Sequence, residues 1–305
     1  MNKEPLVFIV ILNFNSYMET LRCLESVLDN DYHNYEVVVV DNNSTDTSKE
    51  ELSKHLDKFK LITNNTNLGY AHGNNVGIKY ALENKADYVC VLNNDVEVEK
   101  NFLSELINYM NTNKDVGIAG PCICDFQERD KIQSMGANIN LFTGLAQAKG
   151  KNTYYISVRE DSLSVDYLGG ACFVARKEIF EEIGLIPEMY FLFFEETEFC
   201  LNTKKAGYKL ICLNSSRVYH KQSATISKYK GLSYFFLNRN RIVFMRRNSK
   251  LYHKVIFSFY IIIETFARKI LKKEPLSLFK VYLEGLKADV NHIDMNQVNS
   301  FFKKN

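Results

Sequence analysis

A chain of 305 residues with 46% hydrophobic and 24% charged residues holds enough apolar material for one large α/β domain plus a smaller appendage, which excludes a disordered chain. A formal net charge of +2 argues against nucleic acid as the main partner, a role that usually needs a strongly basic domain. The cysteines, Cys23, Cys90, Cys122, Cys124, Cys172, Cys200 and Cys212, sit mostly in apolar runs without zinc-type spacing. They read as reduced thiols packed as small hydrophobes in a cytosolic protein.

Met1 leads directly into residues 6–12, a short β-branched run that suits a strand buried on both faces. No charged-then-apolar leader precedes it, so an intracellular location is expected. Leu21, Leu24, Val27 and Leu28 then form one stripe of a helix. A strand at 36–40, an Asx-rich turn and a helix at 47–56 follow. The theme repeats with a strand at 60–63, a helix at 74–84, a strand at 88–92, a helix at 101–111 and a strand at 117–120. This alternation predicts a mainly parallel central sheet with helices on both faces. Ligands of such sheets bind beyond the carboxyl ends of the strands. The polar clusters Asn13-Phe14-Asn15, Asp41-Asn42-Asn43-Ser44 and Asn93-Asn94-Asp95 stand at those ends. Residues 121–165, punctuated by Gly136, Gly144 and Gly150, read as hairpins and a mobile loop. Strand character returns at 165–175, a helix starts near Glu195, and the chain reads as helical from Tyr229 to its end.

Several of these residues carry chemistry, each beside a plainer structural explanation. Asn43, Ser44 and Asp46 are well explained as cap and turn residues, whereas the Asp41 carboxylate leaves the sheet where a base or ribose would lie. The run Asn67-Leu68-Gly69-Tyr70-Ala71-His72-Gly73-Asn74-Asn75 offers close backbone approach and helix amides to an anion, or is only a turn. It lacks the spacing of a dinucleotide fingerprint. Asp95, delivered by an apolar strand, suits a hard divalent cation held by one or two carboxylates and substrate phosphates, or else an Asx turn. Glu195, Glu196 and Glu198 follow an aromatic run. They complement a helix dipole, or form the crowded carboxylates whose raised pKa a general base needs. His220 closes the strand-like Arg217-Val218-Tyr219 ahead of Ser223 and Thr225, as a structural histidine or as a metal or phosphate ligand.

In their order these residues resemble the inverting glycosyltransferases of family 2, in particular rhamnosyltransferase-like bacterial members that build surface polysaccharides. The resemblance runs from about Val7 to Arg247. It rests on the segments at 11–15, 39–44, 67–75, 92–95, 168–172, 193–199 and 205–208, together with His220 and Arg239-Asn240-Arg241. It implies a GT-A fold over residues 1–228, with a nucleotide-binding half at about 1–120 and an acceptor half at 121–228. By resemblance, Asn13, Asn15, Asp41, Asn67, Gly69, Gly73, Asn74, Asn94 and Asp95 bind the donor, with Asn13 and Asp41 at the nucleoside. Asp95 and His220 hold Mg²⁺ or Mn²⁺. Gly169, Gly170 and Glu195 border the sugar and acceptor pocket. Glu196 matches the catalytic base, with Glu195 or Glu198 as alternatives. The family usually has Asp where Glu196 stands and a basic residue where Asn202 stands. The implied partners are a nucleotide-diphospho-sugar, dTDP- or UDP-linked, and a glycan acceptor carried on a lipid such as a polyprenyl diphosphate. Two other classes compete: a non-catalytic nucleotide-sugar-binding protein, and a nucleotidyltransferase, which normally shows a Gly-rich basic loop after its first strand.

The helical region 229–305 contains the apolar run 255–263, too short to span a bilayer, which needs about 20 residues. Arg246, Arg247, Lys250, Lys254, Arg268, Lys269, Lys272 and Lys273 flank it. A membrane-surface anchor on the inner leaflet is one reading; a helix packed on the catalytic domain or in a homo-oligomer interface is the other.

Overall fold

The computed structural model describes residues 4–221, 231–271 and 277–302. Ser223, Thr225, Tyr229, Lys272 and Lys273 therefore lie outside the described residues.

The chain alternates β1 (Val7–Asn13), α1 (Tyr17–Leu28), β2 (Tyr35–Asp41), α2 (Ser48–Ser53), β3 (Lys60–Thr63), α3 (Tyr70–Glu83), β4 (Tyr88–Asn93), β5 (Val96–Val98), α4 (Phe102–Thr112) and β6 (Val116–Asp125). Strands β3, β2, β1 and β4 pair in parallel in that order. Two-fold alternation sends successive side chains to opposite faces. Val7, Ile9 and Ile11 of β1 meet Cys23, Leu24 and Val27 of α1 and Phe102 and Leu106 of α4. Phe8 and Val10 meet Ala71, Ile78 and Ala81 of α3. Both faces are thus covered, which is why β1 reads as a continuous apolar run. Each of these large side chains contributes ~1.5–3 kcal/mol by burial.

Beyond β6 come β7 (Ile132–Ser134), the hairpin β8 (Ala137–Asn140) and β9 (Leu145–Ala148), β10 (Ser162–Val165), β11 (Cys172–Arg176), α5 (Lys177–Ile183), α6 (Glu195–Lys205) and β12 (Lys209–His220). β11 enters antiparallel between β4 and β6, and β12 runs parallel to β6 on its other side. The β6–β12 register slips between Leu213 and Arg217, opposite Pro121 and Cys122. A proline has no N–H to give a ladder, so the bulge falls where β6 carries one.

Four expectations need correction. Leu28 is 40% exposed, and the buried stripe of α1 is Thr20, Cys23, Leu24 and Val27. α3 starts at Tyr70, four residues earlier than expected, because Gly69 turns the chain with φ 100° just before it. The single strand expected at 165–175 is two, β10 and β11, and residues 166–171 between them leave the sheet. The strand expected at 117–120 runs on to Asp125, and the irregular stretch after it holds β7 and the β8–β9 hairpin.

The C-terminal helices are α7 (Leu232–Asn248), α8 (Leu251–Leu271), α9 (Ser277–Lys287) and α10 (Met295–Phe302). Ile242, Val243, Phe244 and Met245 of α7 share a cluster with Tyr190, with Phe257 of α8, and with Leu278 and Tyr282 of α9. Phe236 stacks on Phe191 with ring centres 5.3 Å apart. α7 therefore packs against the segment that leads into α6. All seven cysteines are free and buried.

Candidate active site

A cavity of about 630 Å³ opens beyond the carboxyl ends of β1 and β4, where the sheet topology places a ligand site. Its donor-side wall begins one layer back. Asn13 and Asp41 are register partners on β1 and β2, and both are buried. Asn13 Nδ2 donates to Asp41 Oδ1 (2.8 Å), and its Oδ1 accepts from Thr20 Oγ1 (2.8 Å). The Ser44 hydroxyl and amide both donate to the Asp41 carboxylate (2.6 and 3.0 Å). Asn15, at φ 52°, accepts from the Thr45 amide (2.7 Å). These residues lock the loop after β2, and none of Asn13, Asn15 or Asp41 lines the cavity.

Asn42, Asn67 and Gly69 do line it. Asn42 Nδ2 donates to Asn67 Oδ1 (2.9 Å) and to the Gly69 carbonyl (3.2 Å). A side chain at Gly69 would collide with the Phe191 backbone, to which the Tyr70 amide donates (2.8 Å). Gly73 and Asn74 stand outside the cavity for packing reasons. A methyl on Gly73 would collide with Leu12, and Asn74 Nδ2 donates within its own helix to the Tyr70 carbonyl (3.1 Å).

At the end of β4, Asn94 Nδ2 donates to Thr20 Oγ1 (3.0 Å), and Asp95 Oδ1 lies 3.3 Å from His220 Nε2. Gln133 determines how that histidine is presented. Its Nε2 donates to Asp125 Oδ2 (3.1 Å) and to the His220 carbonyl (2.8 Å), so its Oε1 faces His220 Nδ1 (3.1 Å). An amide oxygen can only accept, so Nδ1 carries the hydrogen, and Nε2 is the ring atom that faces Asp95. Two lone-pair atoms at this spacing fit adjacent positions around one octahedral cation, where ligands ~2.1 Å from the ion lie ~3.0 Å apart. Among the described residues no group of three such side chains converges. Asp95 and His220 would thus be the protein ligands, with water and phosphate oxygens in the remaining positions.

The opposite wall is the first turn of α6. Phe191, Phe193 and Phe194 all take positive φ (65°, 67° and 77°) on the approach to it, a region that bulky residues rarely enter. Asn240 of α7 holds them there: its Nδ2 donates to the carbonyls of Tyr190 (2.9 Å), Leu192 (2.8 Å) and Phe193 (3.0 Å). Glu195 and Glu196 are both buried and both line the cavity. Burial pushes the Glu196 carboxyl up to about 7, against the opposing pull of its own backbone amide and the Tyr70 hydroxyl. Burial and the Glu196 charge push Glu195 well above the ordinary range, and its Oε2 has no hydrogen-bond partner among the described residues. Gly169 and Gly170 line the same wall, and a side chain at Gly170 would occupy the seat of Glu196 Oε1. Glu198 faces away from the cavity. Its carboxylate accepts from the Tyr190 hydroxyl, from Arg247 Nη2 (2.8 Å) and Nε (3.0 Å), and from Asn248 Nδ2 (2.6 Å).

The structure thus brings Asn67, Gly69, Asn94, Asp95, Gly169, Gly170, Glu195, Glu196 and His220 to one cavity. It sets Asn13, Asn15, Asp41, Gly73, Asn74 and Glu198 behind its walls. Tyr70 and Asn93 join the site from segments the sequence had marked without giving either a role, and Gln133 joins it unmarked. Tyr70, whose hydroxyl oxygen lies 3.0 Å from Gly170 O and 3.2 Å from Asn93 Oδ1, lay inside the recognised 67–75 run and could have been found there. Nothing around Gln133 in the sequence marks it, because all its partners come from β6 and β12.

Comparison with known proteins places this arrangement. The Glycosyl transferase family 2 model matches residues 8–184. The dTDP-rhamnosyl transferase RfbF of Shigella flexneri is 27% identical over 258 residues, covering 79% of this chain and 80% of that protein. The N-acetylglucosaminyl-diphospho-decaprenol L-rhamnosyltransferase of Mycobacterium tuberculosis is 25% identical over 202 residues, covering 60% of this chain and 66% of that one. Among solved structures, GalNAc-T7 with UDP, GalNAc and Mn²⁺ superposes with a TM-score of 0.61 at 18% identity over 79% of this chain, which spans about half (51%) of that protein. That likeness shows the GT-A fold.

Proposed function

This chain belongs to glycosyl transferase family 2, and from that premise we propose that it moves one sugar, with inversion and metal assistance, from a nucleotide-diphospho-sugar to a hydroxyl of a lipid-linked glycan. The observation that carries the proposal is the pairing, across one cavity, of the Asp95–His220 couple with Glu196, whose carboxyl burial pushes up to about 7. In this reading Glu196 takes the proton of the acceptor hydroxyl. The acceptor oxygen forms its bond to the anomeric carbon from the side opposite the diphosphate, which departs with the electron pair of the broken C–O bond. Mg²⁺ or Mn²⁺ held by Asp95 and His220 would offset the charge that grows on the departing diphosphate. Tyr70 positions the base, and Gly170 leaves room for its carboxylate. Asn42 and Asn67 brace the loop beside the nucleoside.

Support for the donor class comes from a relative named for dTDP-rhamnosyl transfer and from a neighbour holding UDP and Mn²⁺. Support for the acceptor comes from a relative named for transfer to a decaprenol-linked sugar. No helix among the described residues is long and apolar enough to cross a membrane. The poised buried base favours an enzyme over a non-catalytic nucleotide-sugar-binding module.

The test uses two variants and two readouts. Glu196→Gln is expected to lower transfer by on the order of 10³-fold while the Mn²⁺-dependent thermal shift with donor persists. Asp95→Ala is expected to abolish that shift. A Glu196→Gln protein that transfers sugar at the wild-type rate would remove the assignment of the base.

A further inference from the structure

α8 presents an apolar face that the rest of the described chain does not cover. Val255, Ile256, Phe259, Ile263, Phe266 and Ile270 are between 46% (Ile256) and 73% (Ile270) exposed. At ~100° per residue they fall within one arc of roughly 100°. The opposite face of the same helix is anchored: His253 and Phe257 are buried, and Glu264 pairs with Arg241 of α7 at 2.7 Å. The exposed face is therefore held in a fixed orientation. α9 adds exposed Phe279 and Leu286.

Charge selects the occupant. Lys250, Lys254 and Lys269 at α8, and Lys280 and Lys287 on α9, are exposed, whereas Glu284 is the one exposed acid on the described residues of these two helices. On the same wheel Lys269 flanks the apolar arc, and Lys280 and Lys287 flank Phe279 and Leu286 on α9, so a second copy of the chain would bring like charge against like, whereas an anionic surface complements it. The face also continues to the cavity. Phe142, in the turn of the β8–β9 hairpin, packs on His253 and Tyr252 (ring centres 4.9 and 6.4 Å), and Leu145, Ala146 and Ala148 of the same hairpin line the cavity.

We infer that the exposed α8–α9 face is a docking surface for an anionic phospholipid bilayer, which seats the protein in the interface with the cavity rim beside the membrane. The inference deepens the lipid-linked-acceptor reading above: an acceptor carried in the bilayer would reach the cavity along the β8–β9 hairpin. α8, at about 31 Å for its 21 residues, would lie along the surface rather than cross it.

Sedimentation of the purified full chain with phosphatidylcholine vesicles, with and without phosphatidylglycerol, tests this in the absence of donor and acceptor. Wild-type protein is expected to bind the anionic vesicles, and to bind them more weakly as salt rises. Ile263→Glu combined with Phe266→Glu, at 68% and 62% exposure, leaves the core untouched and is expected to weaken binding at least about tenfold. Lys269→Glu with Lys280→Glu is expected to abolish the preference for phosphatidylglycerol. Wild-type protein that stays in the supernatant, or equal binding by the Ile263/Phe266 variant, overturns the proposal. A dimer by light scattering that this variant dissociates also overturns it, and gives the face to a second copy. Vesicle binding is read without sugar transfer, so failure of the acceptor reading would appear separately, as absence of transfer to a polyprenyl-linked acceptor by protein that still binds vesicles.

Discussion

Glu195 and Glu196 are adjacent on the first turn of α6 and share a cavity, yet their surroundings differ in one respect that decides their roles. Glu196 has the Tyr70 hydroxyl to stabilise its ionised form, whereas Glu195 has one oxygen unpartnered and the charge of its neighbour beside it. Ionisation therefore favours Glu196. A base titrating at about 7 works only when deprotonated, so kcat/KM is expected to fall about tenfold per pH unit below 7 and to level off above it. A flat profile between pH 5 and 8 under single-turnover conditions would exclude Glu196 as the base. Stability runs the opposite way for Glu195. Its folded-state pKa is raised above the usual 4.5, so the folded state prefers the protonated acid. That preference stabilises the fold fully below pH ~4.5 and is lost as pH rises toward the folded value. Glu195→Gln, which cannot ionise, is expected to match wild type near pH 4.5 and to melt higher than wild type at pH 8. An equal melting temperature at pH 8 would mean that Glu195 carries no such penalty. These acids were legible in the sequence as a crowded group, but their division of labour was not. It depends on Tyr70 from α3 and Gly170 from the β10–β11 connection, more than a hundred and about twenty-five residues away in the chain.

The segment 191–194 joins the strained approach of α6 to the helix that restrains it. Three phenylalanines at positive φ cost about 1–3 kcal/mol each, and the restraint is local: Asn240 on the Tyr190, Leu192 and Phe193 carbonyls, with Phe191 stacked on Phe236 and Phe194 tilted against Phe244 (ring centres 5.5 Å apart). Asn240→Ala leaves those carbonyls buried without their donor. It is expected to cost about 2–4 kcal/mol in urea unfolding. Because the same segment sets the first turn of α6, kcat is expected to fall in the folded variant while donor affinity stays near wild type. A loss of activity that merely tracked the folded fraction would reduce Asn240 to a structural residue. The sequence marked Arg239-Asn240-Arg241 as part of a resemblance and the aromatic run as the approach to the acids, but gave no hint that one holds the other. Periodicity reports which face of an element is buried, not which side chain of one element meets which carbonyl of another. The same limit explains the strand expected at 165–175. Its apolar content was real, with Val165, Leu168, Cys172 and Val174 all buried, but part of it packs beneath the cavity floor instead of pairing in the sheet.

At the scale of the whole molecule, strand and helix alternation carried the parallel half of the sheet almost residue by residue, because each element there buries a periodic face against the next in sequence. The C-terminal region was legible as helical but not as integral, since its partners are distant in the chain. α7 contributes Phe236, Ile242, Val243, Phe244 and Met245, all buried. At ~1.5–3 kcal/mol each, their loss is comparable to the ~5–15 kcal/mol by which a typical domain is stable. α9 then closes on α7 so tightly that a side chain at Gly285 would stand 2.7 Å from the Arg239 carbonyl. A chain ending at residue 228 is therefore expected to show no cooperative urea transition by circular dichroism, whereas the full chain unfolds in a single one. The apolar face exposed by removing α7, with Phe191 and Phe194 uncovered, would drive the shortened chain to aggregate rather than leave a soluble domain. If residues 1–228 instead unfolded cooperatively and kept a Mn²⁺-dependent thermal shift with donor, the region before α7 would be self-sufficient. The tie between Asn240 and the segment before α6 would then serve acceptor chemistry alone.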